Sequence, residues 1–358
     1  MSELCKLAVY EEFEVLSESV YGSRAEIVLG MPKRFSSVDE ALTRIYPRVV
    51  EGGCYPLLRR DERGLVLHLF PKSGDSKIAW NIALALVTLV TVFVSGLSFG
   101  APPTGKAPGF SWSPAAYMVG LLVPLMIHEL GHWIVMRAYR TPSSLPYLIP
   151  APPLQLGFLG TFGAVINLRW LPPSSEALSL MAIAGPLAGY VIAVPLAVYG
   201  IGESVVVSEE ALVGVQVIPL NVVPVSMILV GQLLPRALNP SDILLLSPLA
   251  FASYVVFLVT FLNLMPIAML DGGHIVRGIV GSKAHSLISR ALIATLIMLA
   301  LVNPVFLMFA LIAIFIYFVS GGRHPGPAMS VEKASKLTLS VALTYGVLLV
   351  LTAPMPLL

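Results

Sequence analysis

From Ile78 onward, apolar runs near the length needed to span hydrocarbon recur at 79–98, 115–137, 177–200, 247–267, 287–302, 304–320 and 336–353. Nothing else in the chain restricts its fold so strongly. A helix satisfies its own backbone hydrogen bonds, so a run of about twenty such residues reads as a transmembrane crossing. As one helix the block 287–320 would be about 50 Å long, too long for a single crossing. Asn303-Pro304 sits at its midpoint, so a helical hairpin is expected there. Asn221–Leu234 is apolar but is broken by Pro224. It has about half the required length, which suits an interfacial or re-entrant segment.

Charge divides the chain in two. Of its 358 residues 56% are hydrophobic and 12% charged, yet residues 1–77 hold 11 of the 22 Lys+Arg and 12 of the 20 Asp+Glu. The expected architecture is therefore a polytopic α-helical membrane protein of about seven spans at residues 78–358, preceded by a small soluble α+β domain at residues 1–77. Within that domain Ala25–Leu29 reads as a strand. Ser37–Tyr46 reads as a helix capped by Ser36 or Ser37, and Tyr55–Arg60 with Gly64–Phe70 as a hairpin. The opening residues lack a basic region followed by an apolar one, so no signal peptide is expected and the amino terminus is placed in the cytosol. Cys5 and Cys54 are too few for a disulfide framework and form no CxxC, so they read as small, partly buried side chains.

Basic residues near the span ends orient the chain. Lys72, Lys77, Arg137, Arg140, Arg169, Arg277, Lys283, Arg290, Arg323, Lys333 and Lys336 share one face of an alternating path. The other face has Lys106 and Arg236 against Glu203, Glu209, Glu210 and Asp242. The excess of positive charge assigns the first face to the cytosol of a cell membrane and the carboxyl terminus to the outside. No basic stripe stands apart from balancing acids, so no nucleic-acid partner is expected.

Of the eight carboxylates beyond residue 77, Glu129 and Asp271 sit in or at the edge of apolar spans with no ready exit to a loop. Burying them costs several kcal/mol each unless they are paired or metal-bound. Glu129 belongs to His128-Glu-Leu-Gly-His132. On a helix the two histidines are about 40° apart in azimuth and one turn apart in height, so both rings can reach one ion. Glu129 projects about 100° away, suited to a base rather than a ligand, and Gly131 leaves that face open. A catalytic zinc takes three protein ligands and a water. The third ligand is sought in Asn263-Leu-Met-Pro-Ile-Ala-Met-Leu-Asp-Gly-Gly-His274 at the end of the fourth span, where Asp271 is preferred to His274. His68 reads as an outward-facing strand residue, and His285 and His324 as solvated loop residues. Gly185-Pro186 and Gly189 read as sites of close helix packing, and Trp80, Trp112, Trp133 and Trp170 as interfacial anchors.

The pairing of HELGH with NLMPIAMLDGGH resembles the signature of the site-2 protease family of intramembrane zinc metalloproteases. Gly160-Thr-Phe-Gly-Ala-Val-Ile166 is similar to a glycine-containing loop of its archaeal and plastid members. The likeness covers about residues 114–282, implying a three-span catalytic core there and accessory carboxyl-terminal spans at about 287–353. Ser247-Pro248 stands where members often have His-Pro. The resemblance implies one zinc per chain, held by His128, His132 and Asp271, with Glu129 as base and Asn263 contacting the substrate. It also implies single-span membrane proteins as substrates, cut near the cytosolic face. Gly160, Thr161, Phe162 and Gly163 would open an edge strand on which an unwound substrate adds as a β-strand. The amino-terminal domain would gate the site, recruit a soluble partner or stabilise the fold. The competing readings are a divalent-metal transporter, a prenyl-peptide type of membrane metalloprotease, and a non-catalytic binding homologue.

Overall fold

The computed structural model describes residues 3–35, 37–72, 78–100, 109–208, 212, 217, 219–234, 242–322, 324–329 and 337–356. Ser36, Lys77, Lys106, Glu209, Glu210, Arg236, Arg323, Lys333 and Lys336, used above for capping and orientation, lie outside them.

The amino-terminal unit comprises α1 (Glu3–Glu12), β1 (Phe13–Tyr21), β2 (Arg24–Pro32), α2 (Val38–Glu51), β3 (Cys54–Asp61) and β4 (Gly64–Pro71). Its sheet has the order β1-β2-β4-β3, antiparallel throughout. Ser37 caps α2 by accepting the Glu40 N–H at 3.1 Å, and the helix continues through Pro47 to Glu51, beyond the expected Tyr46. Phe13, Ile27, Leu42, Ile45, Leu67 and Leu69 are buried between helices and sheet. The cysteines correct the reading above: Cys5 and Cys54 form a disulfide with Cα atoms 6.1 Å apart. Forty-nine residues separate them, and only the packing of α1 beside the start of β3 brings them together.

Four described helices are long and apolar enough to cross a membrane: α3 (Ile78–Gly96), α4 (Pro114–Ala138), α5 (Ser175–Gly202) and α8 (Asp271–Val302). Shorter apolar helices are α7 (Pro248–Leu264), α9 (Val305–Val319) and α10 (Leu337–Thr352). The nine-residue α6 (Val225–Leu233) follows Pro224. Serines start the central helices: Ser113, Ser174 and Ser247 accept backbone N–H groups at the first turns of α4, α5 and α7. Ser247 also donates to Gly200 O at 2.9 Å, so it ties α7 to α5.

Small residues bring these helices close. A Cβ on Gly120 would lie 2.8 Å from Ala252, one on Gly131 2.5 Å from Ala184 O, and one on Gly200 2.6 Å from Ala250 N. Gly131 therefore seals a helix contact rather than leaving a face open.

Two further expectations are corrected. The fourth hydrophobic helix stops at Leu264, and Asp271 opens the next helix, α8, rather than closing the previous one. Pro266 and Ala268, at φ +48°, lie in the turn between them. The helix then continues to Val302, interrupted at Gly281 (φ 82°), so residues 271–286 are helical and not a loop. Asn303-Pro304 divides α8 from α9 as expected. Trp112 and Trp170 are also more than interfacial anchors. Trp112 Nε1 donates to Glu203 O at 2.9 Å. Trp170 Nε1 donates to Pro56 O at 2.6 Å, and its ring stacks 5.0 Å from Tyr55.

Trp170 belongs to the seam between the amino-terminal unit and the helices. Tyr46 donates to Leu171 O at 2.7 Å. The segment 324–329 enters the same seam: Ala328 O accepts the Leu58 N–H at 2.7 Å, while the Ala328 and Met329 N–H groups donate to Pro172 and Pro173. Ala328 and Met329 are themselves buried in the amino-terminal core.

Candidate metal centre

Helix α4 supplies His128, Glu129 and His132, all buried. The spacing of four places the two rings on one face, with Nε2 atoms 3.0 Å apart. His132 Nδ1 lies 2.7 Å from Met181 O on α5. A carbonyl only accepts, so in the neutral ring the proton sits on Nδ1 and Nε2 is bare. Space for that ring comes from a glycine, because a Cβ on Gly185 would lie 2.2 Å from His132 Nε2. Gly189 does the same for His128, whose Cβ would be 3.0 Å away. The close packing expected of these glycines thus falls on the histidines themselves.

Asp271, the first residue of α8, brings Oδ2 to 3.2 Å from His128 Nε2 and Oδ1 to 3.4 Å from His132 Nε2. Glu129 Oε1 stands 4.0 Å from His128 Nε2. Backbone packing explains the two glycines that follow Asp271. A Cβ at Gly272 would lie 1.9 Å from Leu264 O and one at Gly273 2.4 Å from Ala268 O, so they let α8 start tight against the end of α7.

The donor set can be tested against zinc. With ligands at about 2.0–2.1 Å, the edge of a tetrahedron is roughly 3.3–3.4 Å. His128 Nε2 lies 3.0 Å from His132 Nε2 and 3.2 Å from Asp271 Oδ2, and His132 Nε2 lies 3.4 Å from the other carboxylate oxygen, Oδ1; each separation is within a few tenths of an ångström of that edge. Two nitrogens and one carboxylate, with the His132 tautomer held from behind, fit this ion.

These groups line a cavity of about 380 Å³ that also reaches Asn263, Phe162 and Gly163. Strand β6 (Thr161–Val165) forms one wall and pairs antiparallel with β5 (Tyr147–Pro150). Gly160 and Thr161 lie behind the wall. Gly160, at φ +85°, packs on α3 near Thr91 and Ser95, and the Thr161 hydroxyl donates to Ile149 O at 2.9 Å.

Of the remaining histidines, His68 is partly exposed beside Glu26 at 3.4 Å, as expected of a strand residue. His285 and His324 are not solvated. They are 3% and 8% exposed and cluster with His274, His324 Nε2 lying 2.6 Å from His274 Nδ1. The sequence hides this cluster, because its members are 11 and 39 residues apart and no spacing rule links them.

Residues 116–307 match the family model described as peptidase family M50. The chain belongs to peptidase family M50. The matched region runs from the first turn of α4 past the end of α8 and contains both motifs and the four residues His128, Glu129, His132 and Asp271. The chain is 28% identical over 180 residues to the "Probable zinc metalloprotease EGY1, chloroplastic" of Arabidopsis thaliana, covering 48% of this chain and 30% of that one. It is 31% identical over 195 residues to the "Probable zinc metalloprotease EGY2, chloroplastic" of the same plant, covering 54% and 33%. The chain spans about a third of the length of these two relatives. No solved structure matches it.

Proposed function

We propose that this M50 chain is an intramembrane zinc endopeptidase that hydrolyses peptide bonds of single-span membrane proteins near the cytosolic face. The observation that carries the reading is the convergence of His128, His132 and Asp271 within 3.0–3.4 Å beside a buried Glu129. His128, His132 and Asp271 would hold one zinc ion. Bound there, zinc supplies a Lewis acid for a peptide carbonyl and lowers the pKa of water.

The chain's own residues do the rest. Glu129 takes a proton from the attacking water and delivers it to the leaving amine. Asn263, on the opposite side of the motif pair, donates to the substrate backbone or oxyanion, a role worth on the order of 3 kcal/mol in comparable donors. A transmembrane substrate must unwind before its carbonyl is accessible, because that group is bonded within its own helix. The Phe162–Val165 wall supports a route: β6 is paired with β5 along one side only among the described strands, so an opened substrate can add along its other edge.

In this reading the seven apolar helices α3, α4, α5, α7, α8, α9 and α10 all cross a cell membrane. Residues 1–77 form a cytosolic unit and residues 78–358 the membrane domain. The contact between Arg140 and Glu51, at 3.1 Å, supports placing that unit on the same face as the basic loop after α4. A metal transporter would need polar groups along a path to the far face, and the first half of α4, from Pro114 to Ile127, carries no ionisable group but Tyr117.

The test uses purified protein in proteoliposomes with a panel of single-span substrates. Wild type should cleave at least one, and Glu129→Gln should lose about 10²-fold or more of the rate while keeping its zinc. Chelation should abolish cleavage and added zinc restore it. Cleavage that survives either treatment overturns the proposal.

A further inference from the structure

The cluster of His274, His285 and His324 has no part in the chemistry above, yet its hydrogen bonds have a definite direction. The Gly326 backbone N–H donates to His324 Nδ1 at 2.9 Å. A backbone N–H can only donate, so Nδ1 is bare and the ring's proton is on Nε2. Burial, then the neighbouring His274 and His285 rings and Arg277, hold His324 far below the ordinary histidine range, so the ring is neutral. Its Nε2–H faces His274 Nδ1 at 2.6 Å. That nitrogen must then accept, which leaves the His274 proton on Nε2. His285 packs edge-on against His324, ring centroids 5.5 Å apart, and fixes the plane of that ring.

His274 lines the same cavity as Glu129 and Asp271. With Nδ1 occupied by His324, its other nitrogen is the polar atom left to serve the cavity. A ring in this tautomer offers an N–H, the opposite of what a metal ligand offers. The hydrogen-bond chain therefore separates His274 from Asp271 by role, although only three residues divide them.

We propose that His274 is a hydrogen-bond donor to the carbonyl oxygen of the scissile peptide, and that His324 is a positioning residue that fixes its donor tautomer. This rests on the peptidase reading of the site. His324 begins the segment 324–329 whose far end is bonded to β3 and to Pro172 and Pro173, so the donor is held by a strap anchored in the amino-terminal unit.

The test compares wild type, His324→Phe and His324→Gln. Phe keeps the ring volume and removes the donor; Gln restores an N–H. Long-range ¹H–¹⁵N spectra of histidine-labelled, zinc-free protein report the tautomer, with His274→Asn identifying the signal. His274 should carry its proton on Nε2 in wild type and in H324Q, while in H324F its Nδ1 signal should lose the shift of a hydrogen-bonded acceptor nitrogen. In proteoliposomes H324F should lose about tenfold or more in kcat, with KM and zinc content little changed. H324Q should recover most of the loss. A wild-type His274 with its proton on Nδ1 overturns the inference, as does zinc content falling in step with activity or a failure of H324Q to rescue. A wild type that cleaves nothing strikes the peptidase reading itself, whereas a wild-type His274 protonated on Nδ1 strikes this inference alone.

Discussion

At the scale of single residues, glycine shapes the centre as much as the ligands do. Gly185 lies in the interior of α5, where alanine would ordinarily favour the helix by up to about 1 kcal/mol. Its hydrogen faces the imidazole of His132, and a methyl group there would approach Nε2 to 2.2 Å. The steric effect must win, because neither the ring, tied to Met181 O, nor the backbone of α5 can retreat. Gly185→Ala is expected to lower zinc affinity about 10- to 100-fold and suppress cleavage, while helix content by circular dichroism is retained. Gly346→Ala in α10, where nothing lies within 4 Å of the added carbon, is the control and should leave zinc content unchanged. Full zinc occupancy in the Gly185 variant would show that the ring has room to move.

At the scale of elements, β6 links backbone geometry to the handling of substrate. The strand bends where Gly163 takes φ +106°, a conformation that proline cannot adopt and other L-residues reach only with strain. Gly163 N–H turns inward to Thr161 Oγ1 at 2.9 Å, so the bend is closed by the strand's own threonine. Gly163→Pro removes that donor and the permitted φ together, without touching the imidazoles or Asp271. Cleavage of a transmembrane substrate in proteoliposomes should fall at least several-fold, on the order of 1 kcal/mol in transition-state stabilisation, with zinc content unchanged. Unaltered cleavage would remove β6 from the path of the substrate.

At the scale of the whole molecule, the amino-terminal unit is joined to the helices by backbone hydrogen bonds at Leu58, by Trp170 and by the 324–329 strap. This seam supports the stabilising role among the three open to that unit in the sequence. The Cys5–Cys54 disulfide ties α1 to the start of β3, 49 positions on. On the chain-entropy argument a loop of that size contributes about 4 kcal/mol to the folded state. Reductant, or Cys5→Ser with Cys54→Ser, should therefore raise hydrogen exchange in β3 and β4 well before the membrane helices respond. Equal exchange with and without reductant would count against the crosslink.

Composition and periodicity alone pointed to several apolar helices of membrane-spanning length preceded by a charged α+β unit, and singled out HELGH and the LDGG segment as the candidate site. Those features are local: apolar length, an i to i+4 spacing and scarce intramembrane carboxylates can be read without knowing what packs on what. Only the tertiary structure decided that Asp271 starts α8, that Gly185 makes room for His132, that the cysteines meet, and that His274, His285 and His324 form one buried chain. Each depends on atoms brought together from distant segments, and a one-dimensional pattern records no approach distance between residues that neither share a helical turn nor repeat with a fixed period.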